Sequence, residues 1–244
     1  MKKSESTTIE AKWGRLGIHF FAAPVPRTPD VELLLVQTGE GISENARLLP
    51  HVVGWLLVYS DFVVKHRLKE LIVRRASAEE RAGLGLVLEI ALLHGAPKDL
   101  SIPLAVCTPI RPERPLHDFQ RANAIFTSIA EETASVVSRK WGLWSPEIEP
   151  RFDAIRPVSW LLGQNPALRS RIVRKGDLRA SILEVLRLDV AGEVESAAEL
   201  GRLTGATRAA VGAALKALVL EGEVKIVPHA TNKRDHRVVL LPAA

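Results

Sequence analysis

The chain has 244 residues, 47% apolar and 25% charged, with a net charge of +5. Those proportions exclude a disordered chain and fit one or two folded domains. The single cysteine, Cys107, excludes an intramolecular disulfide and a cysteine-based zinc site, and fits a reducing compartment.

The opening stretch MKKSESTTIEAK is polar and has no apolar signal-peptide core, so residues 1–12 are expected to form a disordered tail. Residues 13–36 mix apolar pieces with the proline-rich break APVPRTP and predict short strands. TGEGIS predicts a turn, followed by a long helix over about 44–75, where Pro50 is tolerated only near the first turns. Leu48, Leu49, Val52, Val53, Leu56, Leu57, Val63 and Val64 cover more than one face, which predicts central burial or a subunit interface. The apolar run 52–64 contains Asp61 and is too short to span a bilayer. A soluble cytoplasmic protein with no membrane segment is therefore expected.

Ser77 and Glu80 form a capping-box pattern that opens a second helix, stopped by Gly95. A third helix is predicted over about 117–141. The Pro- and Trp-rich run WGLWSPEIEPRFDAIRP reads as a linker that packs on something, and a linking helix over about 160–174 is interrupted at Asn165-Pro166. Asp177 caps a helix over 178–188. Ser196 and Glu199 open the short helix AAELGRLTG, which ends at Gly205. Thr207 caps a helix over 208–221, and Gly222 stops it. Two β-type segments, EVKIVPHA and VVLLP, then flank the basic turn TNKRDHR. Residues 167–244 hold 13 Lys+Arg against 9 Asp+Glu, a net +4, and residues 1–166 are near neutral at +1. The basic balance lies in this last stretch and fits a polyanionic partner.

Helix, tight turn, helix and a two-stranded basic hairpin resemble the winged-helix domains of bacterial transcriptional regulators, in particular the MarR-like group. The resemblance covers about residues 178–241. Leu200, Leu203, Val211, Leu215 and Leu218 fall where a helix-turn-helix places its small core, and Gly205-Ala206-Thr207 matches the turn and cap before a recognition helix. NKRDHRVVLL resembles that group's D-x-R-[DS]-x-R wing, with Asn232 in place of the first Asp. The resemblance implies a recognition helix in the major groove and a wing against backbone and minor groove of double-stranded DNA. The candidate DNA-contacting residues are Thr207, Arg208, Lys216, Asn232, Lys233, Arg234, His236 and Arg237.

Three departures shape the expectation. The recognition helix is surfaced mainly by Ala209, Ala210, Gly212 and Ala213, which offer base edges no donor or acceptor. MarR-like proteins usually continue with a dimerising helix beyond the wing, and here nothing follows Ala244, so a homodimer is expected through the N-terminal helices. Residues 13–165 match no part of that group.

Catalytic and metal patterns are lacking. There is no phosphate-binding lysine loop, no GxGxxG and no HExxH; Gly83 and Gly85 lie inside the capped helix and read as packing. His51, His66, His94 and His117 have no ligand spacing, and Cys107 reads as a buried small hydrophobe. The sequence therefore predicts a mainly α, non-enzymatic protein without cofactor or metal. It divides into a tail (1–12), a helical dimerisation or sensing domain (13–165) and a linker helix plus winged helix (166–244). Its expected role is DNA-binding transcriptional regulation with an unknown protein or small-molecule effector. The alternative is a winged-helix protein-interaction module, antitoxin-like or part of a complex.

Overall fold

The computed structural model describes residues 8–20, 22–173, 176–228 and 236–242. It divides into two compact units, residues 1–169 and 170–244. Fourteen helices dominate the described residues, and a small antiparallel three-stranded sheet lies near the C-terminus. None of the helices among them is long and apolar enough to cross a membrane.

The N-terminal unit begins with α1 (Ile9–Arg15), so residues 9–12 are helical where a tail was expected. Thr8 caps it by accepting from the Ala11 N–H. The strands expected over 13–36 are replaced by the rest of α1 and the start of α2 (Val31–Glu44), which Asp30 caps through the Leu33 N–H at 3.1 Å. TGEGIS is not a turn but the interior of α2. The first of its two glycines serves packing: a Cβ on Gly39 would lie 2.1 Å from the Glu80 carbonyl oxygen.

The long helix expected over 44–75 is two helices, α3 (Leu48–Tyr59) and α4 (Lys65–Arg75), parted by a 3-10 turn at Ser60–Phe62. Distant partners satisfy the backbone freed at the break. Glu32 Oε1 accepts from the Val64 N–H at 2.7 Å, and Lys65 Nζ donates to the Ser60 carbonyl at 2.8 Å. Periodicity along the chain carries no trace of either. Of the two readings of the apolar run, central burial holds: Val52, Val53, Trp55 and Leu56 are fully buried in the unit's own core.

Next comes α5 (Ala78–Leu93), opened by the expected Ser77–Glu80 capping box. A Cβ on Gly83 would stand 1.8 Å from the Gly39 carbonyl oxygen, so α2 and α5 meet backbone to backbone. Gly85 leaves room for the ring of Trp141, whose indole N–H donates to Glu89 at 2.6 Å. After α6 (Ser101–Leu104), burial pushes the Cys107 thiol up to about 12, and Arg81 offsets this only in part.

The helix expected over 117–141 is three: α7 (Asp118–Arg121), α8 (Ala124–Thr133) and α9 (Val136–Trp141). Asn123 and Ser135 interrupt it, their side chains accepting from Phe126 and Ile125 N–H groups and from the Ser138 N–H. Such short polar side chains compete with helix continuation. A two-residue parallel pair joins β1 (Arg114–Pro115) to β2 (Leu143–Trp144). The run read as a linker packs on this unit. Arg151 N–H donates to the Pro50 carbonyl at 3.0 Å, and a Cβ on Gly54 would lie 2.1 Å from the Arg151 carbonyl oxygen. Then come α10 (Val158–Gln164) and α11 (Pro166–Val173), broken at Asn165 as the sequence predicts.

His117 stacks on Phe119, with Nδ1 3.1 Å from the Ile42 carbonyl oxygen. Burial holds its pKa below the ordinary histidine value, with Arg121 adding to the depression and the Ile42 carbonyl and Asp118 opposing it. The unfolded chain takes up this proton first, so the stability His117 contributes is present above its ordinary pKa of about 6.5 and declines as pH falls below it. Urea denaturation of the native chain and of His117→Asn is expected to show the native advantage shrinking between pH 7.5 and 5.5, taken as roughly one unit either side of that pKa. A difference that does not vary with pH would contradict this.

In the C-terminal unit, α12 (Leu178–Leu188) is capped by Asp177 and leads to β3 (Glu193–Val194), a strand the sequence did not signal. It is followed by α13 (Ala197–Thr204), α14 (Arg208–Leu220), β4 (Val224–Pro228) and β5 (His236–Leu240). The sheet order is β3-β5-β4, with Val224 opposite Leu240 and Glu193 opposite Val239. Ile182, Leu186, Leu200, Val211, Leu218 and Val238 anchor one small core shared by all three helices and the sheet.

Candidate nucleic-acid interface

The tight turn between α13 and α14 is built from local chemistry. Gly205 adopts φ +71°, the left-handed conformation that glycine tolerates best, and ends α13. The Ala206 N–H donates to the Gly201 carbonyl at 3.0 Å, and Gly201 lets the turn pass close: a Cβ there would lie 2.9 Å from the Ala206 oxygen. Thr207 Oγ1 accepts from the Ala210 N–H at 3.3 Å and starts α14. The two helices bend by 108° across this turn, within the range of about 90–120° for helix-turn-helix pairs.

Val211, Ala214, Leu215 and Leu218 bury one stripe of α14. The opposite stripe is open: Arg208, Ala209, Ala210, Ala213 and Lys216 are exposed, and nothing lies within 4 Å of a Cβ placed on Gly212. Arg208 and Lys216 form no ion pair with a described residue. Thr207, Arg208 and Lys216 are thus brought onto one free face, with the helix N-terminus beside two of them.

The hairpin is placed in part. Asn232, Lys233 and Arg234 lie outside the described residues. His236 is exposed opposite Pro228. Arg237 is already engaged: its Nη1 donates to Glu193 Oε1 at 2.5 Å, tying β5 to β3. The unsignalled strand therefore supplies a counter-charge to a residue expected to face phosphate. Lys225, exposed on β4 and without an ion pair to a described residue, is a cation that sequence reasoning missed. The alternation Val224-Lys225 was the available signal, since Val224 is buried and its neighbour must turn outward.

Four basic residues precede α12: Arg171 is held by Glu184, Arg169 is exposed, and Arg174 and Lys175 lie outside the described residues. Arg179 is paired with Asp177 and Glu221, which together raise its pKa. Among the described residues no group of three or more His, Cys, Asp or Glu side chains is placed to hold a metal ion.

No family model, curated protein or solved structure matches the chain.

Proposed function

We propose that residues 170–244 form a winged-helix module that binds double-stranded DNA, and that the chain acts as a dimeric, non-enzymatic transcriptional regulator. The observation that carries this reading is the open face of α14. A capped helix N-terminus, with Arg208 and Lys216 in no ion pair with a described residue, stands on a helix inclined at 108° to α13, ahead of an antiparallel strand pair. The element order α12, β3, α13, α14, β4, β5, with β3 beside β5, is that of a winged helix. α14 is the recognition helix of this reading, and Lys233 and Arg234 fall between the two strands of its wing.

The test is fluorescence-anisotropy binding of the whole chain to duplex from its own upstream region and to random duplex, across a salt series. Each phosphate neutralised adds about −0.9 to the slope of log K against log salt. Lys233→Ala with Arg234→Ala is expected to flatten the slope by about two units. Adding Arg237→Ala should change it little further, because Glu193 already balances that charge. Base discrimination should be modest. Only Arg208 and Lys216 on α14, with the cap Thr207, carry side-chain donors, each good base contact being worth about 1–3 kcal/mol. An unchanged slope in the folded double variant removes the wing from the interface. Absence of duplex binding at low salt would replace the reading with a protein-interaction module, which the small-residue face of Ala209, Ala210 and Ala213 favours.

Self-association through the N-terminal unit belongs to the same proposal. α3 is consumed by its own core, whereas α8 presents Ile125, Phe126 and Ile129 to solvent at 69%, 46% and 48% exposure. Ile125 and Ile129 are one helical turn apart and share a face. We assign the dimer contact to this helix; a monomer in sedimentation at micromolar concentration would refute it.

A further inference from the structure

We propose that the cleft between α1, residues 22–30 and the first half of α2 binds a small organic anion with an apolar body, a medium-chain carboxylate. The proposal does not depend on the nucleic-acid reading. The cavity is about 320 Å³, at the lower end of the range of about 300–1,000 Å³ for small-molecule sites. Val25, Pro26, Pro29, Leu33 and Leu34 give it apolar walls, and Lys12 and Arg27 bring two cations to them.

Charge bookkeeping favours an anion. Lys12 Nζ donates to Gln37 Oε1 at 2.8 Å, a neutral acceptor, and neither Lys12 nor Arg27 forms an ion pair with a described residue. The one carboxylate in the lining, Asp30, is spent elsewhere. It receives Arg67 Nη1 and Nη2 at 2.7 and 2.5 Å and caps the Leu33 N–H. Arg67 is shared with Glu32, so Lys12, Arg27 and Arg67 stand against Asp30 and Glu32, three cations to two carboxylates, and the balance at the cleft is still positive. Beside apolar walls an ammonium–carboxylate attraction is screened less than in open water. The walls are also pre-shaped: Pro24, Pro26 and Pro29 fix three φ angles in the loop, and the Val25 N–H is anchored to the Ala11 carbonyl at 3.2 Å. A pre-formed site loses less on binding than one that must be ordered. A chain of methylenes would lie against Leu33 and the prolines, with its carboxylate between Lys12 and Arg27 and within reach of the Gln37 amide.

Isothermal titration of the full chain with octanoate, and with octanamide as the neutral isostere, tests this. Saturable one-site octanoate binding is expected. Octanamide should bind at least roughly tenfold more weakly, and Lys12→Met with Arg27→Gln should weaken octanoate by a similar factor or more. No saturable octanoate binding up to about 10 mM, equal affinity for octanamide, or unchanged octanoate affinity in the folded double variant would each overturn the proposal. Should the double variant fail to fold, the comparison of octanoate with octanamide on the native chain decides by itself.

Discussion

Arg67→Leu is expected to destabilise the N-terminal unit by about 3–5 kcal/mol, the range for removing one partner of a buried ion pair. Arg67 is 1% exposed and Glu32 fully buried. The guanidinium serves both carboxylates at once, reaching Asp30 through two nitrogens and Glu32 through one. Leucine would take the Arg67 guanidinium away from a carboxylate that stays buried in the core, where it also accepts from the Val64 N–H. Glu32→Leu combined with Arg67→Leu removes both buried members of the pair and should recover much of the loss, since a buried ion pair exchanged for apolar groups is often close to neutral. All five tryptophans lie at or before position 160, so tryptophan fluorescence during urea denaturation reports this unit alone. A loss below about 1 kcal/mol in Arg67→Leu would mean that the network is not a determinant of the fold.

The second large effect is steric. Gly83→Ala places a methyl 1.8 Å from the Gly39 carbonyl oxygen and 2.6 Å from its carbon. These are backbone atoms of α2 and cannot rotate away, so the two helices must separate. Overpacking of this kind costs about 1–3 kcal/mol and occasionally more, against a helix-propensity gain of about 1 kcal/mol for replacing glycine by alanine. Because α2 and α5 form the centre of the unit, the upper end of the range is expected. Gly163→Ala in α10 is the matched control, since nothing lies within 4 Å of its Cβ. There the propensity gain stands alone, and stability should rise by about 0.5–1 kcal/mol. Thermal melts of the two variants are thus expected to move in opposite directions; a shift in the same direction would refute the account of the α2–α5 contact.

The difference between these two glycines also shows where the sequence was readable. Ser77, Asp177, Ser196 and Thr207 each announce a helix start, because a cap reaches only two or three positions along the chain and its partners are near in sequence. Gly205 announces a stop for the same reason. Gly39 and Gly83 carry no such local message, and glycine in TGEGIS reads as a turn until α5 is laid against it. The break between α3 and α4 depends on Glu32, about thirty residues upstream, and Arg67 depends on the same side chain. Within the candidate interface, the face of α14 followed from helical period, and Lys225 was open to the same reasoning along β4. The pairing of Arg237 was hidden because β3 is two residues long and gives no alternation to detect.

The ionisation of Cys107 has a practical side. A thiol held near 12 carries a thiolate fraction at neutral pH about three orders of magnitude below that of an ordinary exposed cysteine. The chain's own sulfur is therefore expected to react far more slowly with maleimides and iodoacetamides than an exposed cysteine. An Ala213→Cys substitution on the open stripe of α14 is then expected to take up a fluorophore or spin label well ahead of Cys107. That difference in rate would let one label on that single helix be followed from solution.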